Sequence, residues 1–568
     1  MPAALAKGEN PRGIDPNRRN RSHVPRTPFS RFAWIWAVTT LIHQLAFSFW
    51  METWEGWITT FTAFLVILRP RCLVRFACLL VFSLTNLAHK LPFVPNHILF
   101  EGILNVTLLV GMAWGSWLRR PVDAFQRTRW SRIFRQMMPF LIAALIKAVF
   151  LIMTEDPRSH LMGGLTSVLL LFGIWKSLQF PAVEIREDAQ ILDHVAPVIR
   201  MEVILMYFWA VLQKLNADYF DSAVSCAAKL HQDMAELLPF VPEGEWASVA
   251  AIYGSLLCEL GIPILFLIRQ TRPIAFFVAI LFHLWLSIHS APGIYSFSAL
   301  LFATFFFFLP NFAGPQIPRV WALQRKWLKE RTGTLRWEPW IGPAVIVVFL
   351  LAAIWQGSLY LQHGRLRETF ASANWIGFGL WAIWGIWMGS SYLWSLSRTC
   401  FLPQTYPSSL RISPLWIGLV LTMMNGLCPW IGLKTQTSFS MYSNLRTEWE
   451  GNHLFLERVD LFPFQSDLIQ LVESEPDLLR LPERPTRIQA YANEGRWMPY
   501  FELRRLLSEH EGDIRLTYER GGEVHQVWRL RGKIVGNEHL FETIPWVPYH
   551  FLWFRRHLAP DGPMPCTH

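Results

Sequence analysis

Seven ionisable side chains lie in stretches that are otherwise apolar: His43, Lys147, Glu202, Lys214, Glu259, His283 and His289. A charge at the centre of a bilayer costs roughly 2.5–3.5 kcal/mol on insertion scales, so each such group pairs, snorkels to the interface or does chemistry. Glu259 and His283 fall near the middle of consecutive apolar stretches, which predicts that they face each other inside a bundle. Such a contact can orient an imidazole or hold a polar ligand, and it is equally a plain way to make two buried polar groups tolerable. Lys214 stands about one turn inside the end of its stretch, where a lysine can snorkel to the headgroups. The seven cysteines include no C-x-x-C pair, and no H-E-x-x-H, P-loop or G-x-G-x-x-G occurs, so neither a metal site nor a disulfide framework is expected.

The elements that must position these groups are membrane helices. Of 568 residues 52% are hydrophobic and only 17% charged, and 29 are Trp, whose amphipathic indole favours the headgroup region. That excludes an ordinary water-soluble enzyme. The net charge of +10 is the excess of cytoplasmic Lys and Arg expected of a polytopic protein, and it argues against nucleic acid as a partner. Thirteen apolar stretches are readable as spans, at 32–50, 54–68, 72–88, 97–118, 137–153, 161–178, 199–215, 247–268, 273–290, 293–310, 340–361, 374–396 and 413–430. Several are short enough to be re-entrant, which leaves about 11 to 13 crossings. With the N-terminus inside, 29 Lys and Arg fall on the cytoplasmic face and six opposite, which supports the parity and sends the tail outward. Asn105 of the Asn-Val-Thr triplet then lies inside a span, out of reach of glycosylation.

The fold class read from these patterns is an all-α polytopic membrane helix bundle with a small α+β extramembrane C-terminal domain. Its parts are a disordered basic N-terminal arm (1–31) with no cleaved signal peptide, a transmembrane region (32–310), additional transmembrane helices (311–433) and an external C-terminal domain (434–568). In the last, the alternating runs DIRLTYER and EVHQVWRL across Gly521-Gly522 predict a hairpin. Residues 499–510, opening on Pro499, predict a short amphipathic helix.

The stretch YFWAVLQKLNADYF resembles the segment of vitamin K-dependent gamma-carboxylases and their horizontally transferred transmembrane (HTTM) relatives in which a tyrosine-rich span leads into Lys-Leu-Asn. CELGIPILFLI and FHLWLSIHSAPGIYSFSALLFATFFFFLP are similar to the helix with an intramembrane Glu and the His-rich pattern that follow in that family. Together these cover about residues 199–310, and YSNLRTEWEGNHLFL, past the last span, is similar to a stretch of bacterial-type HTTM proteins. The resemblance implies an outward-facing membrane pocket with Lys214 as catalytic base, Glu259, His283, His289 and Tyr207 around the cofactor, a reduced naphthoquinone (vitamin K-like) as cofactor, and no metal. The partners it implies are membrane lipid, a quinone and a protein or peptide glutamate. A base role needs a neutral amine, which an apolar pocket away from carboxylates can supply. One departure is plain: the carboxylases carry a second lysine just before this one, where the chain has Gln213. A lyase of carboxylase type is thus one expectation, quinol-linked oxidoreductase chemistry a second, and a transporter or lipid-handling protein without catalysis the alternative.

Overall fold

The computed structural model describes residues 27–47, 53–118, 189–289, 291–309, 366–399, 413–449, 451–475, 497–510, 512–556, 558, 562–564 and 566. The spans expected at 137–153, 161–178 and 340–361, the basic arm before residue 27, and Lys147 lie outside the described residues. Each of the other ten expected spans coincides with a helix. They are α1 (Pro28–Ala46), α2 (Trp54–Leu68), α3 (Leu73–Lys90), α4 (Asn96–Leu118), α5 (Ala189–Leu212), α8 (Glu245–Leu267), α9 (Arg272–Ser287), α10 (Pro292–Phe305), α11 (Leu366–Thr399) and α12 (Trp416–Leu427). Between α5 and α8 lie the short α6 (Ala217–Phe220) and α7 (Cys226–Leu237). Four of the described helices are long and apolar enough to cross a membrane, and α2, α9, α10 and α12 are shorter apolar helices.

Local chemistry fixes several boundaries. Thr27 caps α1 through a reciprocal pair of hydrogen bonds with Ser30, and Pro28 sits at the first turn, where a missing N–H costs nothing. Thr53 caps α2 through the Gly56 N–H. α5 begins ten residues earlier than its apolar pattern, because Arg200 is not a loop residue: its Nε donates to the Phe307 carbonyl at 2.6 Å, buried against the end of α10. α1 is buried nearly all round and packs against α2, α10 and α11, so it is the hub of the bundle. α8 and α9 instead present Leu257, Ile264, Ile274, Phe277 and Leu281 outward, as helices bordering lipid do.

Beyond α12 a 3₁₀ turn (Cys428–Ile431) leads into irregular chain and then a five-stranded antiparallel sheet in the order β2-β1-β3-β4-β5. Its strands are β1 (Leu468–Glu475), β2 (Trp497–Pro499), β3 (Ile514–Arg520), β4 (Glu523–Leu530) and β5 (Lys533–Val535). The expected hairpin is β3–β4, in register from Ile514 opposite Arg529 to Arg520 opposite Glu523, with both turn glycines at positive φ, as a two-residue turn between twisted strands requires. The expected helix is α13 (Tyr500–Glu509), whose Leu503, Leu506 and Leu507 close a separate core with Ile469, Leu471, Ile514, Leu516 and Tyr518. A last short helix, α14 (Trp546–Phe551), precedes the C-terminus.

The tail is fastened to one end of the bundle. Phe93 packs edge-on against Trp553, Leu454 N donates to the Leu215 carbonyl, and Cys226 forms a disulfide with Cys566 across 340 residues. That disulfide corrects the expectation of no bridge: the two cysteines lie far apart in sequence, and only the folded tail brings them together.

Candidate functional site

Lys214 lies in the turn that ends α5, just past Leu212, with its amide bonded to the Val211 carbonyl. It is 5% exposed, and its Nζ donates to Glu259 Oε2 at 2.5 Å. Among the described residues this is the only hydrogen bond of the ammonium group. Glu259 is 14 residues into α8, about 21 Å along it at 1.5 Å per residue, so the pair sits deep rather than at the headgroups. Four residues on, Pro263 has no N–H to give the Glu259 carbonyl, so the usual helical bond cannot form there.

His283 on α9 is fully buried, with Nε2 2.7 Å from the Tyr207 hydroxyl. The expected contact between Glu259 and His283 is therefore replaced by two others, Glu259 with Lys214 and His283 with Tyr207. The physical reason is one of affinity: an ammonium is a stronger partner for a carboxylate than a neutral imidazole is, and a lysine stem reaches in from the helix end. Glu259 and His283 nonetheless share a small pocket of ≈ 30 Å³, to which His97, Phe100 and Phe439 also contribute. That volume holds about two waters. The Nδ1 atoms of His97 and His283 are buried without a hydrogen-bond partner among the described residues.

On the other side of the pair opens a much larger cavity of ≈ 380 Å³. Its walls are largely apolar and come from α7, α8, α9 and α10, with Leu230, Trp246, Ala250, Phe282, Trp285 and Ile294 among them. Lys214, Glu259, Phe297 and Met441 line both spaces, so the ion pair stands in the partition. The volume falls within the roughly 300–1,000 Å³ of small-molecule sites.

The wall nearest the tail was not legible in the sequence. Residues 434–449 fold back over the helix ends with Thr437, Phe439, Tyr442, Asn444 and Trp449 all at positive φ, and Phe439, Met441 and Tyr442 reach the two spaces. Strain of this kind persists only where surrounding bonds over-determine the backbone, and it gathers at sites. Here side-chain amides hold it. Asn96 Oδ1 accepts from Phe439 N at 2.6 Å, Asn425 Nδ2 donates to the Thr437 carbonyl at 3.0 Å, and Asn216 Nδ2 donates to the Ser443 carbonyl at 2.6 Å. Gln213 belongs to the same set: its Nε2 donates to the Gly426 and Ser438 carbonyls, so it ties α5 to α12 and the strained segment rather than facing the cavity.

The remaining sequence candidates lie elsewhere. His289 is half-buried beyond the end of α9, 3.5 Å from Asp233 of α7, and lines neither space. Glu202 is buried on α5 with Oε1 2.5 Å from the Thr107 hydroxyl, in a gap that Gly418 leaves open because a side chain there would occupy the same volume. His43 pairs with Glu101 of α4, a carboxylate the sequence reading did not single out, at 2.5 Å. Asn105 is buried in α4, bonded to Trp36 and Ser83. Among the described residues no cluster of three or more His, Cys, Asp or Glu could hold a metal ion.

Residues 160–311 match the family model of the HTTM domain. The match covers 152 of the 568 residues. Tyr207, Lys214, Glu259, His283 and His289 all fall within the match, whereas His97, Phe439 and Met441, which complete the pocket, fall outside it. No curated protein and no solved structure matches the chain.

Proposed function

We propose that this is an integral membrane enzyme whose large cavity takes an amphiphile of the isoprenoid quinol type and whose Lys214–Glu259 pair manages the proton of its hydroxyl group. The observation that carries this is the position of the pair, a buried cation and a partly buried anion forming the polar end of an otherwise apolar cavity of ligand size. A naphthoquinol fits the residues present. Its ring is too large for the 30 Å³ pocket and suits the 380 Å³ cavity, where Lys214 has two ammonium hydrogens to spare and Glu259 accepts. When bound, such a group supplies hydroxyls that release protons and a ring that releases electrons.

The chain's own part follows from the pair. The carboxylate 2.5 Å from the amine supports Glu259, rather than a neutral lysine, as the group that takes the proton. The acceptor of the proton is Glu259, and Lys214 stays charged beside it, compensating negative charge that forms on the hydroxyl oxygen. The adjoining pocket has room for about two waters and two imidazoles with a free ring nitrogen, a route by which a proton can leave Glu259. Addition of carbon dioxide to a glutamate would need a further base, and Gln213, where the carboxylases carry their second lysine, is engaged by two backbone carbonyls.

We infer also that the tail and the cavity lie on the side away from the cytoplasm. The 29 to 6 partition of basic residues supports this, and so does the Cys226–Cys566 bridge, since disulfides persist in oxidising compartments.

The test uses the full chain in lipid nanodiscs with menadiol and a short isoprenoid naphthoquinol as probes. With dissolved dioxygen as the electron acceptor, wild type should bind and oxidise the probe faster than empty nanodiscs do, Glu259→Gln should bind without turnover, and Lys214→Ala should lose both. Binding without turnover in wild type would instead favour lipid handling without catalysis. No binding at all would remove the quinol.

A further inference from the structure

His43 on α1 stands between two acceptors. Its Nε2 is 2.9 Å from the backbone carbonyl oxygen of Ser296 on α10, an atom that can only accept, so Nε2 carries a hydrogen. Its Nδ1 is 2.5 Å from Glu101 Oε2, a distance at which two bare lone pairs would repel, so a proton lies between them. The pair therefore holds one proton more than a neutral imidazole beside a carboxylate, whichever atom carries it. Both side chains are buried, at 1% and 5% exposure, and Thr40 Oγ1 donates to Glu101 Oε1 at 3.3 Å.

Ser296 links this proton to the pocket. Its hydroxyl hydrogen is directed at the Pro292 carbonyl, so the contact of 2.8 Å between Ser296 Oγ and His97 Nε2 is a donation from the ring, which leaves His97 Nδ1 as a bare acceptor at the small pocket. α4 and α10, which His43 and Glu101 hold to α1, supply His97, Phe100 and Phe297 to that pocket. Among the described residues, the other charged or titratable groups near the pair are His97, whose ring centroid is 5.5 Å from that of His43, and Lys90. Lys90 and Asn86 line a space of ≈ 10 Å³ that also touches His43 and Glu101, room for about one water.

We propose that His43 and Glu101 form a buried one-proton binding site that clamps α1, α4 and α10 together and exchanges its proton with water through the space beside Lys90. Loss of the proton turns the bond between α1 and α4 into a repulsion, and the α4 wall of the pocket loosens with it. The inference is independent of what the large cavity binds.

Glu101→Gln is the discriminating variant, because its amide N–H can donate to a neutral His43 and its carbonyl can accept from Thr40, keeping the bonds without the extra proton. The full chain with ¹⁵N-labelled histidine is studied in nanodiscs near neutral pH by NMR and infrared spectroscopy. Wild type minus Glu101→Gln should show either one imidazolium with both ring nitrogens protonated or one protonated carboxyl. Absence of both signals would overturn the site. Should Glu101→Gln not fold, His43→Gln gives the same subtraction for the imidazolium. On transfer to heavy water the signal should exchange, an order of magnitude more slowly in Asn86→Leu, which fills the adjoining space; equal rates would overturn the route.

Discussion

Removing one member of the Lys214–Glu259 pair should destabilise the bundle more than removing both. Lys214 is nearly inaccessible, and the Glu259 side chain keeps 16% exposure toward the cavity. Breaking a fully buried pair by truncating one partner costs 3–5 kcal/mol, and the partial exposure of Glu259 lets water relieve some of that, so Lys214→Met should cost about 2–4 kcal/mol. Glu259→Gln, which strands the deeper ammonium, should cost at least as much. The double variant removes both charges from the partition and should recover roughly 1.5–3 kcal/mol of the summed loss. The assay is reversible unfolding in mixed micelles for wild type, both singles and the double, with Tyr207→Phe, His283→Gln and their double as a second cycle. Coupling is expected within each contact, while Glu259→Gln with His283→Gln, which share only the small pocket, should couple more weakly than either contact does. Additivity of the Lys214 and Glu259 variants would refute the ion pair and with it the proton acceptor.

Three further outcomes are expected. Burial of Lys434, just past the bundle, pushes its amine down to about 8, with Cys428 opposing the shift and Thr437 and the Phe551 ring in contact with the ammonium. Because the folded value is depressed, the cost of its charge is present in full below about pH 8 and is relieved as pH rises toward the unfolded value near 10.4; Lys434→Met should therefore stabilise the protein at neutral pH, by at most roughly 3 kcal/mol, and flatten that rise in denaturation curves. In the tail, buried Glu502 bonds Arg505, Arg556 and the Phe554 amide, so Glu502→Ala should cost about 3–5 kcal/mol in urea unfolding and expose the contact of Arg505 with Phe93 to proteolysis. Asn96→Ala removes the acceptor for the Phe439 amide and should weaken probe binding several-fold while leaving the helical circular dichroism unchanged.

Ten helices were legible because the hydrophobic signal of a membrane segment is local and long, and the hairpin at Gly521-Gly522 because a two-residue turn needs positive φ twice. Lys214, Glu259 and His283 were legible as ionisable groups in apolar surroundings, since their cost is set by composition alone, whereas Tyr207 came only from the resemblance. Their pairing was not, because partner choice depends on helix rotation and on how far a side chain reaches, and neither leaves a trace in spacing. Glu101, a carboxylate inside the stretch 97–118, met the same composition criterion as those groups, and only its pairing with His43 needed the tertiary structure. The strained segment 434–449 reads as ordinary polar loop, and it becomes a wall of the site only through asparagines at positions 96, 216 and 425, far from it in sequence. Cys226 and Cys566 carry no spacing motif for a comparable reason: the 340 residues between them are closed by the docking of the tail on the bundle, a property of the tertiary fold.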